Sequence, residues 1–235
     1  MHPTILRLSA QAIVGRRRGV VLLLIPALLV VLALVIRVLT GEGSGYEAVL
    51  NLGFTLVLPL VALLAATAVL GPEIDDGSIV YLLAKPVSRH VVALSKYAVA
   101  WAATLGLGAL PLLVAGLVLD ASEPVQAVAW GVGGAVAGTA YVALFLGLAA
   151  LTRHAVVVGL LFALLWEGVL GNVFAGVRWV AIGAWGREAA GDISPLVSGP
   201  GIGLVYALVA AGLVTVGSVW FAGDRLRSFT LRGDE

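Results

Sequence analysis

Long uncharged apolar runs dominate the pattern along this chain, and they predict membrane-spanning helices. Five runs of 18 to 31 residues contain no charge: 19–36, 48–72, 97–119, 124–152 and 193–223. A sixth apolar segment, 155–177, is interrupted only by Glu167. Because one helix needs about 20 apolar residues to cross a bilayer, each of the six is long enough. We predict spans at about 19–39, 49–71, 97–119, 127–151, 155–177 and 201–222.

The segments between the runs are short and leave no room for a soluble domain. Residues 1–18 combine an apolar face with arginines, which predicts a helix lying at the membrane surface. No small-x-small cleavage site follows the first run, so we expect a retained span and not a signal peptide. Residues 172–200 predict an outer re-entrant or interfacial segment, in which Trp179 and Trp185 suit the headgroup region. We therefore expect residues 1–235 to form a single transmembrane domain.

Composition and charge support the membrane assignment and predict an orientation. Hydrophobic residues make up 61% of the 235 residues and charged residues only 11%, whereas about a quarter of a soluble domain is charged. The net charge of +1 gives no bias toward nucleic acid, so we expect no nucleic-acid partner. With six spans, 11 of the 14 lysines and arginines fall on the side of both termini. Basic residues collect in cytoplasmic loops, which predicts cytoplasmic termini in a multi-pass protein of the cell membrane.

The residue patterns that support nucleotide binding or catalysis are missing from the sequence. A P-loop requires a lysine followed by Ser or Thr, but Lys85 precedes Pro86 and Lys96 precedes Tyr97. The chain has no cysteine, and its three histidines are far apart, which argues against a metal site. We therefore expect no enzyme activity, no metal and no cofactor in this chain itself.

Glu167 is the ionisable residue that lies deepest within an apolar run. An acid inside a membrane is costly and is a functional candidate by default. It follows Arg153 by 14 residues, which places it about 20 Å along a helix and nearer the outer face. Two interpretations stay open. Glu167 is either a protonated or hydrogen-bonded acid that faces a neighbouring helix or the outer headgroups, or an acid that lines a substrate path or a subunit interface.

The connection between the second and third spans is unusually polar. Residues 71–96 have the sequence GPEIDDGSIVYLLAKPVSRHVVALSK. The DDGS segment supplies caps and a turn, IVYLLAK predicts a short amphipathic helix, and Pro86 ends it. Ser88 suits the cap of a helix that continues into the third span. The pattern alone leaves two alternatives: a helix that docks on a partner in the cytoplasm, or an amphipathic loop on the membrane.

The order of residues in this stretch resembles the permease subunits of type-2 ABC exporters. Those permeases carry a loop of the form Glu-x-Glu/Asp-x-Gly-Thr/Ser-Leu/Ile, then Leu-Leu, then Pro-x-Ser-Arg, and a lysine at the start of the next span. The matching residues here are Glu73, Asp75, Gly77, Ser78, Ile79, Leu82, Leu83, Pro86, Ser88, Arg89 and Lys96. Asp75 stands in place of the commoner Glu, and Ser78 in place of the commoner Thr.

The resemblance implies an all-α membrane protein whose loop 72–96 contains a short cytoplasmic coupling helix. It implies a complex of two permeases, identical or homologous, with two ATP-binding cassette subunits that carry the ATP and Mg. The coupling helix sits in a groove of the ATP-binding subunit. The implied roles are polar partners or caps for Glu73, Asp75 and Asp76, the turn for Gly77 and Ser78, the buried face for Leu82 and Leu83, and anchors at the inner headgroups for Arg89 and Lys96.

Taken together, these observations predict the permease subunit of an ATP-driven exporter. The spans expose few polar groups, which favours a hydrophobic or amphipathic substrate that is moved out of the cytoplasm. Two alternatives remain. The chain could pass mechanical work to an extracytoplasmic partner without transport, or it could be a membrane scaffold that has no ATPase.

Overall fold

The computed structural model describes residues 18–75, 88–152, 154–171 and 174–228. All regular structure in these ranges is helical, which confirms the predicted all-α fold. The helices are labelled in chain order, and four of them are uninterrupted: α1, Arg18–Thr40; α4, Pro124–Leu151; α6, Ile182–Ile193; and α7, Leu204–Ser228. The other three contain a π-helical part. Helix α2 consists of Tyr46–Leu52, the π-helical turn Gly53–Val57 and Leu58–Asp75; α3 consists of Arg89–Thr104, the π-helical turn Leu105–Ala109 and Leu110–Leu119; and α5 consists of Ala155–Leu161 and the π-helical Phe162–Leu170. A 3-10 helix, Ala175–Val180, lies between α5 and α6. The predicted surface helix 1–18 lies almost wholly outside the described residues.

Among the described residues, five helical segments are long and apolar enough to cross a membrane. They are Gly19–Thr40, Tyr46–Leu70, Arg89–Leu119, Pro124–Leu151 and Leu204–Leu226. The third includes the polar residues from Arg89 to Lys96, in agreement with the predicted helix that continues from Ser88 into the third span. The remaining apolar segment, predicted as a span at 155–177, forms the shorter helix Ala155–Leu170.

Helix α4 lies at the centre of the bundle and contacts α2, α3, α6 and α7. Much of its buried surface consists of glycine and alanine. Gly134 and Gly138, four residues apart on one face of α4, both pack on α3. A β-carbon built on Gly134 would lie 2.8 Å from Leu112, and one on Gly138 would lie 3.1 Å from Thr104. Small residues of this kind let helix backbones approach closely, which is a main source of helix association in lipid.

Two of the spanning helices contain a π-helical turn shortly before a proline. Gly53–Val57 precedes Pro59, and Leu105–Ala109 precedes Pro111. Proline has no N–H group, and its ring crowds the carbonyl four residues earlier. A π turn widens the helix and moves each hydrogen bond to the residue five positions away. Both helices therefore continue past their prolines.

The outer surface of the bundle is strongly apolar. On α1, Leu28 is 65% and Leu39 is 77% exposed, and on α7, Val205 is 76% and Leu213 is 70% exposed. Exposed apolar faces of this extent are unfavourable in water and mark a surface that contacts lipid or another protein. They are consistent with the membrane location that the apolar runs predicted.

Candidate functional site

The described ends of the polar stretch 71–96 are helical. Helix α2 continues through Glu73 and ends at Asp75, and α3 begins at Arg89. The predicted start of a helix after Ser88 is confirmed, although the Ser88 side chain makes no capping hydrogen bond. The other coupling residues that the resemblance implies lie outside the described residues: Asp76, Gly77, Ser78, Leu82 and Leu83.

Lys96 joins the two helices that lead into this stretch. Its side chain is only 1% exposed, and its ammonium group donates a hydrogen bond to the carbonyl of Val69 on α2. The prediction that Lys96 anchors at the inner headgroups is therefore wrong, because the ammonium group is enclosed by protein. A buried charge is stable only where polar groups surround it. This contact fixes the position of α3 relative to α2 at the base of the stretch.

The first turn of α3 also packs against the end of α7. The His90 ring stacks on Trp220 with 4.6 Å between ring centroids, and its Nε2 lies 3.8 Å from the Asp224 carboxylate. Gly223 permits this approach, since a β-carbon at that position would collide with the His90 ring. Sequence reasoning missed this contact because its two sides are far apart in the chain. The start of α3 is therefore held against both α2 and α7.

Glu167 is buried where α5 meets the start of α6. Its side chain is 6% exposed. Its Oε1 accepts a hydrogen bond from the N–H of Ile182 at 2.7 Å, and its Oε2 accepts one from the N–H of Gly183 at 2.9 Å. The first N–H groups of a helix have no partner within that helix and carry partial positive charge. Glu167 therefore caps α6 from a different helix.

Two further polar side chains surround the Glu167 carboxylate. The hydroxyl of Tyr141 on α4 is a third donor beside it, and the guanidinium of Arg187 on α6 interacts with it electrostatically. Of the two interpretations drawn from sequence, the structure shows the hydrogen-bonded acid that faces a neighbouring helix. A role in a substrate path or a subunit interface stays a prediction. No sequence signal pointed to Tyr141, since a single tyrosine in an apolar run is also common in ordinary cores.

Helix α6 is packed against α4 at very short range. A β-carbon built on Gly133 would lie 2.5 Å from the carbonyl oxygen of Gly186, and one on Gly186 would lie 2.5 Å from that of Gly133. At the start of α6, a β-carbon on Gly183 would lie 3.2 Å from the Tyr141 hydroxyl. Tyr141 is about 15 Å from the end of α4 at Leu151, at 1.5 Å per helical residue. Helix α6 thus begins near the middle of α4 and runs toward the Pro124 end.

The two tryptophans predicted for the headgroup region have different environments. Trp185 is only 4% exposed, and its indole N–H donates a hydrogen bond to the carbonyl of Trp179 at 2.9 Å. The prediction is therefore wrong for Trp185, because this face of α6 packs on α4. Trp179 is 47% exposed, so it remains suited to the headgroup region as predicted.

The family comparison covers most of the elements described above. A family model described as ABC-2 family transporter protein matches residues 15–176, which is more than two thirds of the chain. The match includes α1 to α5, the stretch between α2 and α3, and Glu167, and it ends before α6. A search among curated proteins finds no match. The family match agrees with the resemblance carried by the polar stretch, and the chain belongs to the ABC-2 family of transporter permeases.

Proposed function

We propose that this membrane subunit of an ABC transporter works as an exporter permease, and that residues 71–96 receive mechanical work from a separate ATP-binding subunit. The observation that carries the proposal is that the helix leaving this stretch, α3, is packed firmly on its neighbours. Lys96 ties α3 to Val69 on α2, and His90 packs the start of α3 on α7. Closely packed protein has low compressibility and transmits strain. A partner that pushes on the stretch would therefore move three helices together.

The proposed topology has six spans, with α5 as the fifth and both termini in the cytoplasm. Helix α5 is about 24 Å long at 1.5 Å per residue, somewhat less than the ~30 Å hydrocarbon core. Helix α6 occupies the remaining depth, since it packs along the Pro124 half of α4. Irregular backbone is tolerated at membrane depth when protein surrounds it. We therefore interpret α6 as a re-entrant helix that enters from the outer side and is capped at its inner end by Glu167.

Single cysteines will test this topology, because the native chain has none. Cysteines at Ser44 and Ser122 should react with an impermeant maleimide from outside, and those at Ser78 and Ser228 only after permeabilisation. Ser95 is fully buried, so a cysteine there serves as the unreactive control. Labelling of Ser78 from outside intact cells would invert the proposed topology.

An apolar groove supports the proposal of a hydrophobic or amphipathic substrate. It has a volume of about 310 Å³ and lies between α4, α5 and α7, with Leu148, Phe162 and Phe221 among its lining residues. These residues belong to the halves of the helices that the proposed topology places toward the cytoplasm. A cavity of this size and lining suits an alkyl or aromatic group, because pockets for small ligands are mostly apolar. The groove is thus suited to take up such a group from the inner leaflet.

Co-purification with an ATP-binding subunit will test the proposed function. We expect a stable complex of two permeases and two ATP-binding subunits that hydrolyses ATP, whereas the permease alone should neither bind nor hydrolyse it. The reason is that neither of its lysines has the sequence context of a P-loop. ATP hydrolysis by the isolated permease would contradict the proposal. A complex that hydrolyses ATP without substrate flux would indicate mechanical transmission, and failure to bind any ATP-binding subunit would indicate a scaffold.

A further inference from the structure

A small polar cavity lies at the end of α5, beside the loop that leads into α7. Its volume is about 200 Å³, and its walls are formed by Gly171, Arg178, Arg187, Ser198, Gly199 and Pro200. The two arginines come from different elements, the 3-10 helix and α6. The cavity therefore brings together two of the three basic residues on the predicted outer side of the chain.

Neither arginine lies within salt-bridge distance of a carboxylate in the part of the chain that the structure describes. Glu167, which interacts with Arg187 electrostatically but forms no salt bridge with it, and Glu188, the neighbour of Arg187 in the chain, both accept backbone hydrogen bonds. Glu188 accepts hydrogen bonds from the N–H groups of Gly201 at 2.8 Å, Ile202 at 3.2 Å and Gly203 at 2.8 Å. Gly201 and Gly203 have φ angles of 73° and 87°, a left-handed conformation that brings these N–H groups to one carboxylate. Glu167 is engaged in the same way by the start of α6.

Two guanidinium groups that line one small cavity repel each other. Glu167 offsets part of the Arg187 charge, and an anion bound between the two arginines would offset the rest of the repulsion. Guanidinium groups bind phosphate and carboxylate oxygens through paired, charge-assisted hydrogen bonds. The hydroxyl of Ser198 on the same wall offers a further donor. The cavity is smaller than the ~300–1,000 Å³ of typical small-molecule pockets. It therefore suits an oxyanion group and not a whole ligand.

The side chains next to Arg178 indicate how such an anion reaches the cavity. Phe174, Trp179 and Val180 are 56%, 47% and 52% exposed. Exposed aromatic side chains beside a cation are typical of the headgroup level of a bilayer. These exposed apolar side chains would contact the alkyl part of an amphiphile whose anionic head group enters the cavity, whereas a free anion would leave them uncovered.

We propose that Arg178 and Arg187 form a binding site for the phosphate or carboxylate head group of an amphiphile in the outer leaflet. The site goes beyond the proposed function, because binding there requires neither ATP nor a second subunit. Only its placement in the outer leaflet rests on the topology proposed above. If the proposed coupling to an ATP-binding subunit proved wrong, the lipid-binding experiment described next would still test this site.

Lipid binding to the purified full-length chain tests the proposal, with native mass spectrometry as the readout. We expect the chain to retain phosphatidylglycerol in preference to phosphatidylcholine. The double variant Arg178→Gln with Arg187→Gln should bind phosphatidylglycerol at least about tenfold more weakly, because two charge-assisted contacts are lost. Arg37→Gln is the matched control, since that arginine is paired with Glu42. Equal binding of phosphatidylglycerol by the native chain and the double variant would overturn the proposal.

Thermal unfolding will establish that each variant is folded. If the double variant does not fold, Arg178→Gln alone replaces it, because this exposed side chain contributes little to packing. A selective loss of phosphatidylglycerol in this single variant is then the expected result, and unchanged binding overturns the proposal.

Inorganic phosphate separates a membrane-anchored head group from a free oxyanion. We expect millimolar phosphate to leave phosphatidylglycerol bound, because the lipid adds apolar contacts that free phosphate lacks. Displacement of the lipid by millimolar phosphate would overturn the assignment to an amphiphile. Removal of phosphatidylglycerol by high salt, with no effect on phosphatidylcholine, would support the electrostatic basis of the site.

Discussion

Replacement of Glu167 by alanine is expected to lower the thermal unfolding midpoint of the purified chain by roughly 5–10 °C. The variant leaves the N–H groups of Ile182 and Gly183 without their carboxylate acceptor inside the protein. A buried donor without a partner costs about 1–3 kcal/mol, and two are affected. Tryptophan fluorescence during heating will measure the midpoint. The control is Glu123→Ala, because Glu123 is exposed and its side chain makes no capping hydrogen bond.

Glu167→Gln should lose about half as much stability as Glu167→Ala. Its amide carbonyl can accept one of the two N–H groups, but its NH₂ group cannot accept the other. From the sequence alone, this variant would be expected to fold normally, and the two backbone donors change that expectation. An alanine variant that unfolds at the temperature of the native chain would show that Glu167 does not hold α6.

The same variants address the second interpretation of Glu167. If the residue only caps α6, substrate-stimulated ATP hydrolysis by the assembled transporter should fall in step with the stability of each variant. If Glu167 also lines a substrate path, Glu167→Gln should change the substrate range at temperatures where it is fully folded. The comparison of Gln with Ala therefore separates a structural role from a transport role.

Replacement of Leu82 by aspartate is expected to prevent the ATP-binding subunit from co-purifying with the permease. The resemblance places Leu82 on the face of the coupling helix that the partner buries, and a buried unpaired charge is strongly unfavourable. A loss of about 3 kcal/mol would weaken the complex more than 100-fold. Membrane insertion should be normal, because the flanking spans are unchanged. Leu196→Asp is the matched control, since Leu196 is 50% exposed and lies in the loop between α6 and α7.

Loss of the acids in the same stretch should have a graded effect. Glu73→Ala, or Asp75→Ala together with Asp76→Ala, should weaken the complex or uncouple it while leaving the fold intact. A charged contact buried at an interface is typically worth ~2–5 kcal/mol, whereas a charge at the rim changes little. If these variants and Leu82→Asp all retain full assembly and coupling, residues 71–96 are an ordinary surface loop.

The spanning helices could be predicted because their signal is local. A long run without charge needs no knowledge of the partner helix, and five helices of sufficient length formed where such runs occur. The run around Glu167 predicted a span by the same logic. It did not show that α6 packs beside α4. The packing of α6 on α4 involves the close contact of Gly133 with Gly186, residues that no sequence period connects.

The side chains of the candidate site were harder to predict, because their environment depends on distant segments. Lys96 and Trp185 look like headgroup residues in sequence, yet both are buried by helices that meet only in the fold. For Glu167, the sequence located an acid within an apolar run but not its donors, since Ile182 and Gly183 belong to a segment that was expected near the surface. Polar residues in apolar chains are thus easy to locate but difficult to pair from sequence.

The rate of ATP hydrolysis by the ATP-binding subunit tests the central claim most directly. It should be measured for that subunit alone, with the native permease, with Leu82→Asp and with Leu196→Asp, in nanodiscs of one composition. We predict that the native permease and Leu196→Asp change the rate equally. The rate with Leu82→Asp should equal that of the subunit alone. Equal rates with Leu82→Asp and the native permease, or hydrolysis by the permease alone, would contradict a permease driven through residues 71–96.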